Sequence, residues 1–176
     1  MTQLLILKGT TNPELRAHAE DVGEITDDVK ALAQNMLDTM LAEDGVGLAA
    51  PQVGSHFRMI LVTLGFETKR ERAQILINPV IDELSIDEVV IDEGCLSLPG
   101  VYAKVRRPKD ITITYTKLSG ERLTESFKGF DSRVIQHEID HLNGILFTDR
   151  SLAQGFINDM QARQIEKKIL GLGKML

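Results

Sequence analysis

The stretch that decides the fold reads DSRVIQHEIDHLNG, residues 131–144. Its apolar side chains recur at the three- and four-residue spacing of an α-helix. The Asn-Gly pair that closes the stretch is a typical helix stop, because these residues readily adopt the left-handed backbone that follows a last turn. The spacing therefore predicts a helix over residues 131–142.

Two histidines, His137 and His141, lie four residues apart within this stretch. That spacing places both imidazoles on one helical face, where they can bind a single metal ion. Glu138 follows the first histidine, so its carboxylate can reach a metal-activated water and move protons during hydrolysis. The H-E-x-x-H motif predicts a metal-dependent amide hydrolase. The other histidines, His18 and His56, lack such a context and are predicted to be surface or structural residues.

A catalytic metal site of this type needs a third protein ligand and one open coordination position. Downstream of the motif, the candidates are Asp149, Asp159 and Glu166, in a turn or on the last helix. Upstream, the single cysteine, Cys95, can supply a thiolate, which binds a borderline metal well. Cys95 is the preferred ligand. A downstream ligand would favour a metallo-endopeptidase, and a fourth protein ligand would favour a structural metal domain.

The rest of the chain falls into blocks of one element type. Residues 26–43 repeat apolar side chains at helical spacing, with Thr26 placed to cap the first turn. Runs rich in β-branched residues predict strands in the middle of the chain, at residues 59–64, 75–77, 88–91 and 111–116. A turn at residues 118–120 predicts an antiparallel hairpin. A last helix is predicted over residues 152–170. We expect an α+β fold, with antiparallel β-sheets packed around a central metal-binding helix and a helix towards each end.

Size and composition fit one catalytic domain over residues 1–176. The chain has 43% hydrophobic and 26% charged residues, which is ordinary for a globular protein. The apolar run at residues 4–7 is too short for a signal-peptide core, and no apolar run approaches the ~18 residues of a membrane span. One cysteine cannot form an intramolecular disulfide. We therefore expect a cytoplasmic protein without a membrane partner.

The distribution of charge along the chain indicates which kinds of molecule it can bind. A net charge of −6 and the absence of Trp argue against nucleic acid as a substrate, and no direct DNA binding is expected. Residues 150–176 contain five basic and two acidic side chains, so the rest of the chain carries a net charge of −9. This basic tail fits a solvated helix face or a contact with an anionic partner. An anionic partner of this tail would bind through the last helix.

Three segments follow one another along the chain: GVGLAAPQ at residues 45–52, EGCLS at 93–97 and QHEIDHLNG at 136–144. Together they resemble the three signature motifs of peptide deformylases, in the family's order and at similar separations. The likeness covers nearly the whole chain, and the short first spacing is similar to the compact form of the family. The resemblance implies an enzyme that removes the N-terminal formyl group from the formyl-methionine of newly made polypeptides and releases formate.

Matched motif by motif, the resemblance makes Cys95 and the two motif histidines the metal ligands and makes Glu138 the general acid and base. It implies that the side-chain amide of Gln52 and the backbone N–H of Leu96 stabilise the developing oxyanion. The native metal that it implies is Fe(II), with zinc, nickel or cobalt as replacements. Two nitrogens and one sulfur suit several of these ions, so the residues alone do not select among them.

The resemblance also implies where the substrate lies. The chain edge at Val46 and Gly47, with Gly94 opposite, would pair with the substrate backbone as an added strand. A pocket for the methionine side chain would be lined by Val46, Ile91, Phe130, Val134 and the ring of His137. Two positions depart from many relatives. Tyr102 stands where many carry arginine, and Arg133 stands where some carry an apolar residue, so its charge must reach solvent or an acidic partner.

Overall fold

Two antiparallel sheets and a central helix make up the part of the chain that a computed structural model describes, residues 2–65, 68 and 70–152. The helices are α1 (Pro13–Arg16), α2 (Asp27–Ala42) and α3 (Gly129–Leu142). The strands are β1 (Gly47–Ala49), β2 (Met59–Leu64), β3 (Arg72–Leu84), β4 (Glu88–Cys95), β5 (Leu98–Pro108), β6 (Asp110–Thr116) and β7 (Arg122–Lys128). Short 3₁₀ turns cover Ala50–Val53 and Phe147–Arg150.

The larger sheet has five strands in the order β1-β2-β3-β6-β7, and the smaller one is the hairpin β4-β5. All strand pairs are antiparallel. The predicted hairpin turn lies between β6 and β7, where Gly120 has φ +88° and the Lys117 backbone N–H donates to Glu121. These pairings confirm the predicted α+β class with antiparallel sheets. None of the described helices is long and apolar enough to cross a membrane.

Strand β2 is buried on both faces, which places it between two helices. Its alternate residues Ile60 and Val62 belong to the same core cluster as Ile135 and Ile139 of α3. The intervening residues Met59 and Leu61 belong to the cluster that contains the apolar face of α2. Because successive strand residues point to opposite faces, one short strand holds α2 on one side of the sheet and α3 on the other.

Helix α2 begins as the sequence predicts. Thr26 has extended backbone, and its hydroxyl accepts a hydrogen bond from the Val29 N–H at 3.4 Å, which satisfies one of the free donors of the first turn. The buried residues of α2, including Ala33, Met36 and Met40, lie on one face. The methionines therefore serve as packing residues in the core.

Helix α3 is buried all round rather than on one face. Every residue from position 132 to position 142 is buried, including an arginine, two histidines, a glutamate and an aspartate. The helix ends at Leu142, and Gly144 follows with φ +67°, as the Asn-Gly stop signal predicts. A charged side chain in such surroundings needs partners, because desolvating an unpaired charge is costly. The partners of these residues define the site.

Strand β5 is the main element that the local sequence pattern does not predict. It begins with Pro99 and Gly100 just inside its first residue, and both residues normally argue against a strand. Its buried positions alternate as Ala103, Val105 and Arg107, so a charge interrupts the apolar alternation. Strand β3 is also longer than the predicted run at 75–77. The helix predicted over residues 152–170 lies outside the described residues from position 153 onwards.

Candidate active site

The side chains of Cys95, His137 and His141 converge where helix α3 meets the β4-β5 hairpin. Their ligand atoms all lie within 4.8 Å of one another, and Cys95 Sγ is 3.2 Å from His141 Nε2. Metal bonds of about 2.0–2.3 Å to nitrogen and sulfur let one ion contact all three. Burial lowers the pKa of His141 well below 6.5, so this imidazole is neutral, as a ligand must be. The donor set fits a borderline divalent metal.

Cys95 reaches this position because the β4-β5 hairpin turns directly after it. Cys95 pairs with Leu98, and Leu96 and Ser97 form the two-residue turn between them. Glu93 lies two residues before the cysteine, and its carboxylate contacts His137 while Cys95 contacts His141. A register shift between Glu93 and Cys95 marks a bulge at this point. Such bulges re-aim a side chain next to a site.

Glu93 orients the first histidine. Its carboxylate Oε2 lies 2.9 Å from His137 Nδ1, which leaves Nε2 as the ring nitrogen for a metal. Burial alone would raise the pKa of Glu93, but hydrogen bonds from Arg107 and His137 outweigh burial, and the pKa falls well below 4.5. Glu93 therefore stays ionised. A carboxylate behind a ligating imidazole fixes its tautomer and ring orientation, and it raises the basicity of the ligand.

An ionic network extends from Glu93 through the interior. Arg107 is 3% exposed and donates through Nε and Nη2 to Glu93, at 2.6 and 2.9 Å, and through Nη1 to Asp140, at 2.6 Å. Asp140 also accepts two hydrogen bonds from Arg150, at 2.6 and 2.7 Å. Arg133 donates to Glu93 at 2.8 Å, so its predicted acidic partner is Glu93. The arginine fork suits such bidentate contacts.

Glu93, Arg107 and Asp140 are site residues that the sequence motifs did not predict. Glu93 and Asp140 stand inside the motifs EGCLS and HEIDH, next to proposed ligands, and an acidic residue beside a metal-binding histidine is a usable signal. Arg107 lies 14 residues from Glu93 and 33 from Asp140 in sequence, within the strand that was not predicted. The contact of Arg107 with Glu93 can be recognised only when the pairing of β5 with β4 is known.

Glu138 lies against the first strand of the larger sheet. It is buried, and its Oε2 has no hydrogen-bond partner among the described residues. Burial raises the pKa of this carboxyl to about 7, although the charge of His137 opposes the rise. A Cβ placed on Gly47 would lie 2.3 Å from Glu138 Oε1, so glycine leaves the space that the carboxylate occupies. A carboxyl group with a pKa near neutrality can both accept and return a proton.

Gln52 presents its amide to the same point. Its Oε1 accepts a hydrogen bond from the Ala49 N–H at 2.8 Å, which fixes the orientation of the amide. Its Nε2 then lies 3.1 Å from Ser97 Oγ and 3.4 Å from Cys95 Sγ. The amide donors of Gln52 therefore face the turn that carries Cys95 and Leu96. Donors held in place before the reaction can stabilise a developing negative charge.

An open cleft of about 530 Å³ runs over these residues. Its walls include all six residues predicted to bind substrate: Val46, Gly47, Ile91, Gly94, Phe130 and Val134. The cleft also reaches Gln52, Cys95, Leu96, His137 and Glu138. His141 is not among the lining residues and is buried behind Cys95. Tyr102 is half-exposed, and its ring packs on Gly94, where a Cβ would come within 2.7 Å of Cε1.

Other candidate ligands lie elsewhere or outside the described residues. Asp149 pairs with Arg16 and accepts a hydrogen bond from the Leu146 N–H, at 2.8 Å, so its carboxylate is used away from the histidines. The other downstream candidates, Asp159 and Glu166, lie outside the described residues. His18 is exposed, and His56 is exposed beside Glu14, which agrees with their assignment as surface residues.

Comparison with known proteins gives matches along most of the chain. Residues 5–156 match the family described as polypeptide deformylase. Peptide deformylase 2 of Gloeobacter violaceus is 49% identical over 136 residues, which are 77% of this chain and 73% of the relative.

Two solved structures resemble the fold closely. A peptide deformylase from Synechococcus elongatus, in complex with actinonin, has a TM-score of 0.84 and 36% identity over 96% of this chain and 88% of its own. A Met-Ala-Ser-bound peptide deformylase from Acinetobacter baumannii has a TM-score of 0.78 and 36% identity, over 85% of this chain and 98% of its own.

Proposed function

This chain belongs to the polypeptide deformylase family, metal-dependent hydrolases that remove the N-formyl group from new polypeptides, and from this premise we propose which residues carry out the reaction. The metal ligands are Cys95, His137 and His141, and Glu138 is the general acid and base. The observation that carries the proposal is the convergence of three ligand atoms within 4.8 Å beside a buried glutamate, one of whose oxygens has no hydrogen-bond partner among the described residues.

A divalent metal bound by these ligands supplies Lewis-acid activation of water, which the hydrolysis of an amide requires. The native ion is Fe(II), and zinc, nickel and cobalt are replacements. Two imidazoles and a thiolate suit each of these four ions and do not select one of them. Glu93 holds His137 in the tautomer that presents Nε2, with Nδ1 at 2.9 Å from its carboxylate. The site is thereby arranged before the metal arrives.

Glu138 moves the proton that the reaction must transfer. Its carboxylate takes a proton as water adds to the formyl carbon, and it then delivers that proton to the nitrogen of the departing amine. Burial raises the pKa of this carboxyl, which favours its accepting the proton from water. The products are formate and a free amino terminus on methionine.

Gln52 and Leu96 stabilise the charge that develops on the formyl oxygen. The Gln52 amide is fixed by Ala49 and directs its donors towards Cys95. The backbone N–H of Leu96 lies in the tight turn that follows the cysteine. Donors fixed before the reaction need no reorganisation when the charge appears, and one such donor contributes on the order of a hundredfold to a thousandfold in rate.

The substrate backbone pairs with Val46 and Gly47, with Gly94 on the opposite wall. Strand β1 is the terminal strand of the five-stranded sheet, so one of its edges has no neighbouring strand among the described residues. An extended peptide can pair with such an edge. The methionine side chain enters the pocket of Val46, Ile91, Phe130, Val134 and the His137 ring. The relative that binds Met-Ala-Ser supports a peptide beginning with methionine as the ligand of this cleft.

Residues 1–176 act as one catalytic domain, which the family match over residues 5–156 supports. The enzyme works in the cytoplasm on N-formyl-methionyl nascent chains. The basic tail at residues 150–176 contacts the ribosome, where those chains emerge, and its excess of basic side chains supports binding to anionic RNA.

Comparing Glu138→Gln with Cys95→Ala tests the assigned roles. Glu138→Gln keeps size and leaves all ligands in place, so metal should stay bound while turnover falls by on the order of a hundredfold to ten-thousandfold. Cys95→Ala should lose metal as well as activity, because it removes a ligand. Metal content and formate release from a formyl-methionyl peptide are measured for both variants. More than about a tenth of normal turnover in Glu138→Gln, with metal fully bound, would refute the acid-base role.

A further inference from the structure

The three proposed ligands are carried by two parts of the fold. Cys95 ends strand β4 in the two-stranded hairpin, whereas His137 and His141 lie on α3, which packs on the five-stranded sheet. The apolar cluster under the hairpin contains Leu98, Ala103 and Val105 together with Leu15, Leu146 and Phe147, but no residue of α3. Phe147 of this cluster stacks on the His137 ring, with the ring centroids 6.0 Å apart. Polar contacts supply further links between the hairpin and α3.

Arg133 makes the most extensive polar connection between α3 and the hairpin. Its Nη1 donates to Glu93 Oε1 at 2.8 Å and to the Val105 carbonyl at 3.1 Å, and its Nη2 donates to the Val89 carbonyl at 2.6 Å. The side chain is 7% exposed. One guanidinium from the helix therefore contacts both strands of the hairpin and the carboxylate between them. A lysine ammonium has one nitrogen and cannot reproduce this fork.

The contact with Glu93 links Arg133 to the histidine. Glu93 Oε1 accepts from Arg107 Nε and Arg133 Nη1, while Oε2 accepts from Arg107 Nη2 and lies next to His137 Nδ1. The two arginines thus fix the plane of the carboxylate that orients the imidazole. Arg107 comes from β5 and reaches α3 through a single hydrogen bond to Asp140. Arg133 starts on α3 and reaches Glu93 and the backbone of both hairpin strands.

We propose that Arg133 is a positioning residue for the metal site: it fastens the hairpin to α3, and thereby holds Cys95 and the Glu93–His137 pair in the geometry that retains the ion. The inference rests on the proposed ligand set. Its consequence concerns metal retention rather than chemistry at the substrate. A buried ion pair is weak evidence for added stability, so an effect on retention is the more specific expectation.

Arg133→Met is the test variant, since methionine fills similar space without donors. Arg106→Met is the matched control, because Arg106 lies in the same hairpin, half-exposed, with its nearest carboxylate, on Glu88, 3.6 Å away. Full-length protein is loaded with Co²⁺, whose visible spectrum reports its coordination. Transfer of Co²⁺ to a competing chelator is then followed without substrate, well below the unfolding temperature of each metal-free variant.

Arg133→Met is expected to bind Co²⁺ about 10- to 100-fold more weakly than the wild type, the range found when a residue supporting a metal ligand is lost. Arg106→Met is expected to match the wild type. Arg133→Lys should fall between them, because the charge remains but the contacts with both strands do not. If Arg133→Met does not fold, the Co²⁺ affinity of Arg133→Lys is compared with that of Arg106→Met instead.

Equal Co²⁺ retention in Arg133→Met and Arg106→Met, to within about twofold, would overturn the inference, because the expected loss is at least about tenfold. A wild-type protein that fails to bind Co²⁺ would instead overturn the ligand set and the proposed function. The two failures are thus separate, and neither depends on turnover.

Discussion

Gly47→Ala would show whether the placement of the Glu138 carboxylate limits turnover. A Cβ at this position would lie 2.3 Å from Oε1, 2.9 Å from Cδ and 3.0 Å from Cγ of Glu138, and these are the three nearest atoms. The nearest atoms to the added methyl group therefore all belong to one side chain. The fold should persist while the carboxylate moves.

The size of that movement follows from the contact. Ordinary contact begins at 3.4 Å, so Oε1 must retreat by about 1 Å, and a misplacement of that size can cost on the order of a hundredfold in rate. Because the methyl group points at Glu138, it leaves the substrate-pairing edge of Gly47 in place. We expect kcat to fall by about a hundredfold and KM to change little.

Formate release from formyl-Met-Ala-Ser, over a range of substrate concentrations, separates kcat from KM. Metal content is measured on the same samples. Gly23→Ala is the control, since a Cβ there meets nothing within 4 Å. If Gly47→Ala retains more than about half of the wild-type kcat with its metal bound, the position of Glu138 does not limit turnover and the reasoning fails.

Three further outcomes are expected. Partial burial raises the pKa of Asp149, but hydrogen bonds from Arg16 and the Leu146 amide outweigh it and lower the pKa below 3.8. That stabilisation is complete above the unfolded pKa and is lost as pH falls through the folded pKa. Asp149→Asn should therefore lower the thermal midpoint at neutral pH, with the difference shrinking in acid; a constant difference would contradict the ion pair. Formyl-methionyl peptides should be hydrolysed far faster than formyl-aspartyl peptides, because burying an unpaired carboxylate is costly, and equal turnover would contradict the pocket. Truncation after Ser151 should weaken co-sedimentation with ribosomes; undiminished binding by a folded truncation would remove the basic tail from the proposal.

Short sequence patterns correctly predicted a helix cap, a strand and a helix end. The cap at Thr26, the run at 59–64 and the Asn-Gly stop after α3 each depend on a few neighbouring residues, and the structure confirms all three. The pair His137 and His141 belongs to this group, because helical geometry alone puts residues i and i+4 side by side. These parts of the site follow from spacing.

The remainder depends on contacts between distant segments. The partner of Arg133 is Glu93, 40 residues away, and nothing near either residue indicates the pair. Strand β5 escaped prediction because Arg107 occupies a buried position that local patterning assigns to an apolar side chain. A buried charge can be explained only when the partners that the fold brings to it are known. The residues of the cleft were predicted from the resemblance to a family. The family's motifs indicate which distant segments meet in the fold, whereas residue spacing does not.

The contacts of Arg16 with Gly144 and Asp149 join an early segment of the chain to a late one, so they form late in folding. Arg16 donates to the Gly144 carbonyl and pairs with Asp149, across 128 and 133 residues of sequence. During synthesis the Arg16 side chain therefore lacks these two partners until nearly all of the described chain has been made. Such long-range contacts slow folding, since loop closure precedes the contacts that offset its entropy. A nascent copy without Asp149 lacks this anchor beside its metal-binding helix.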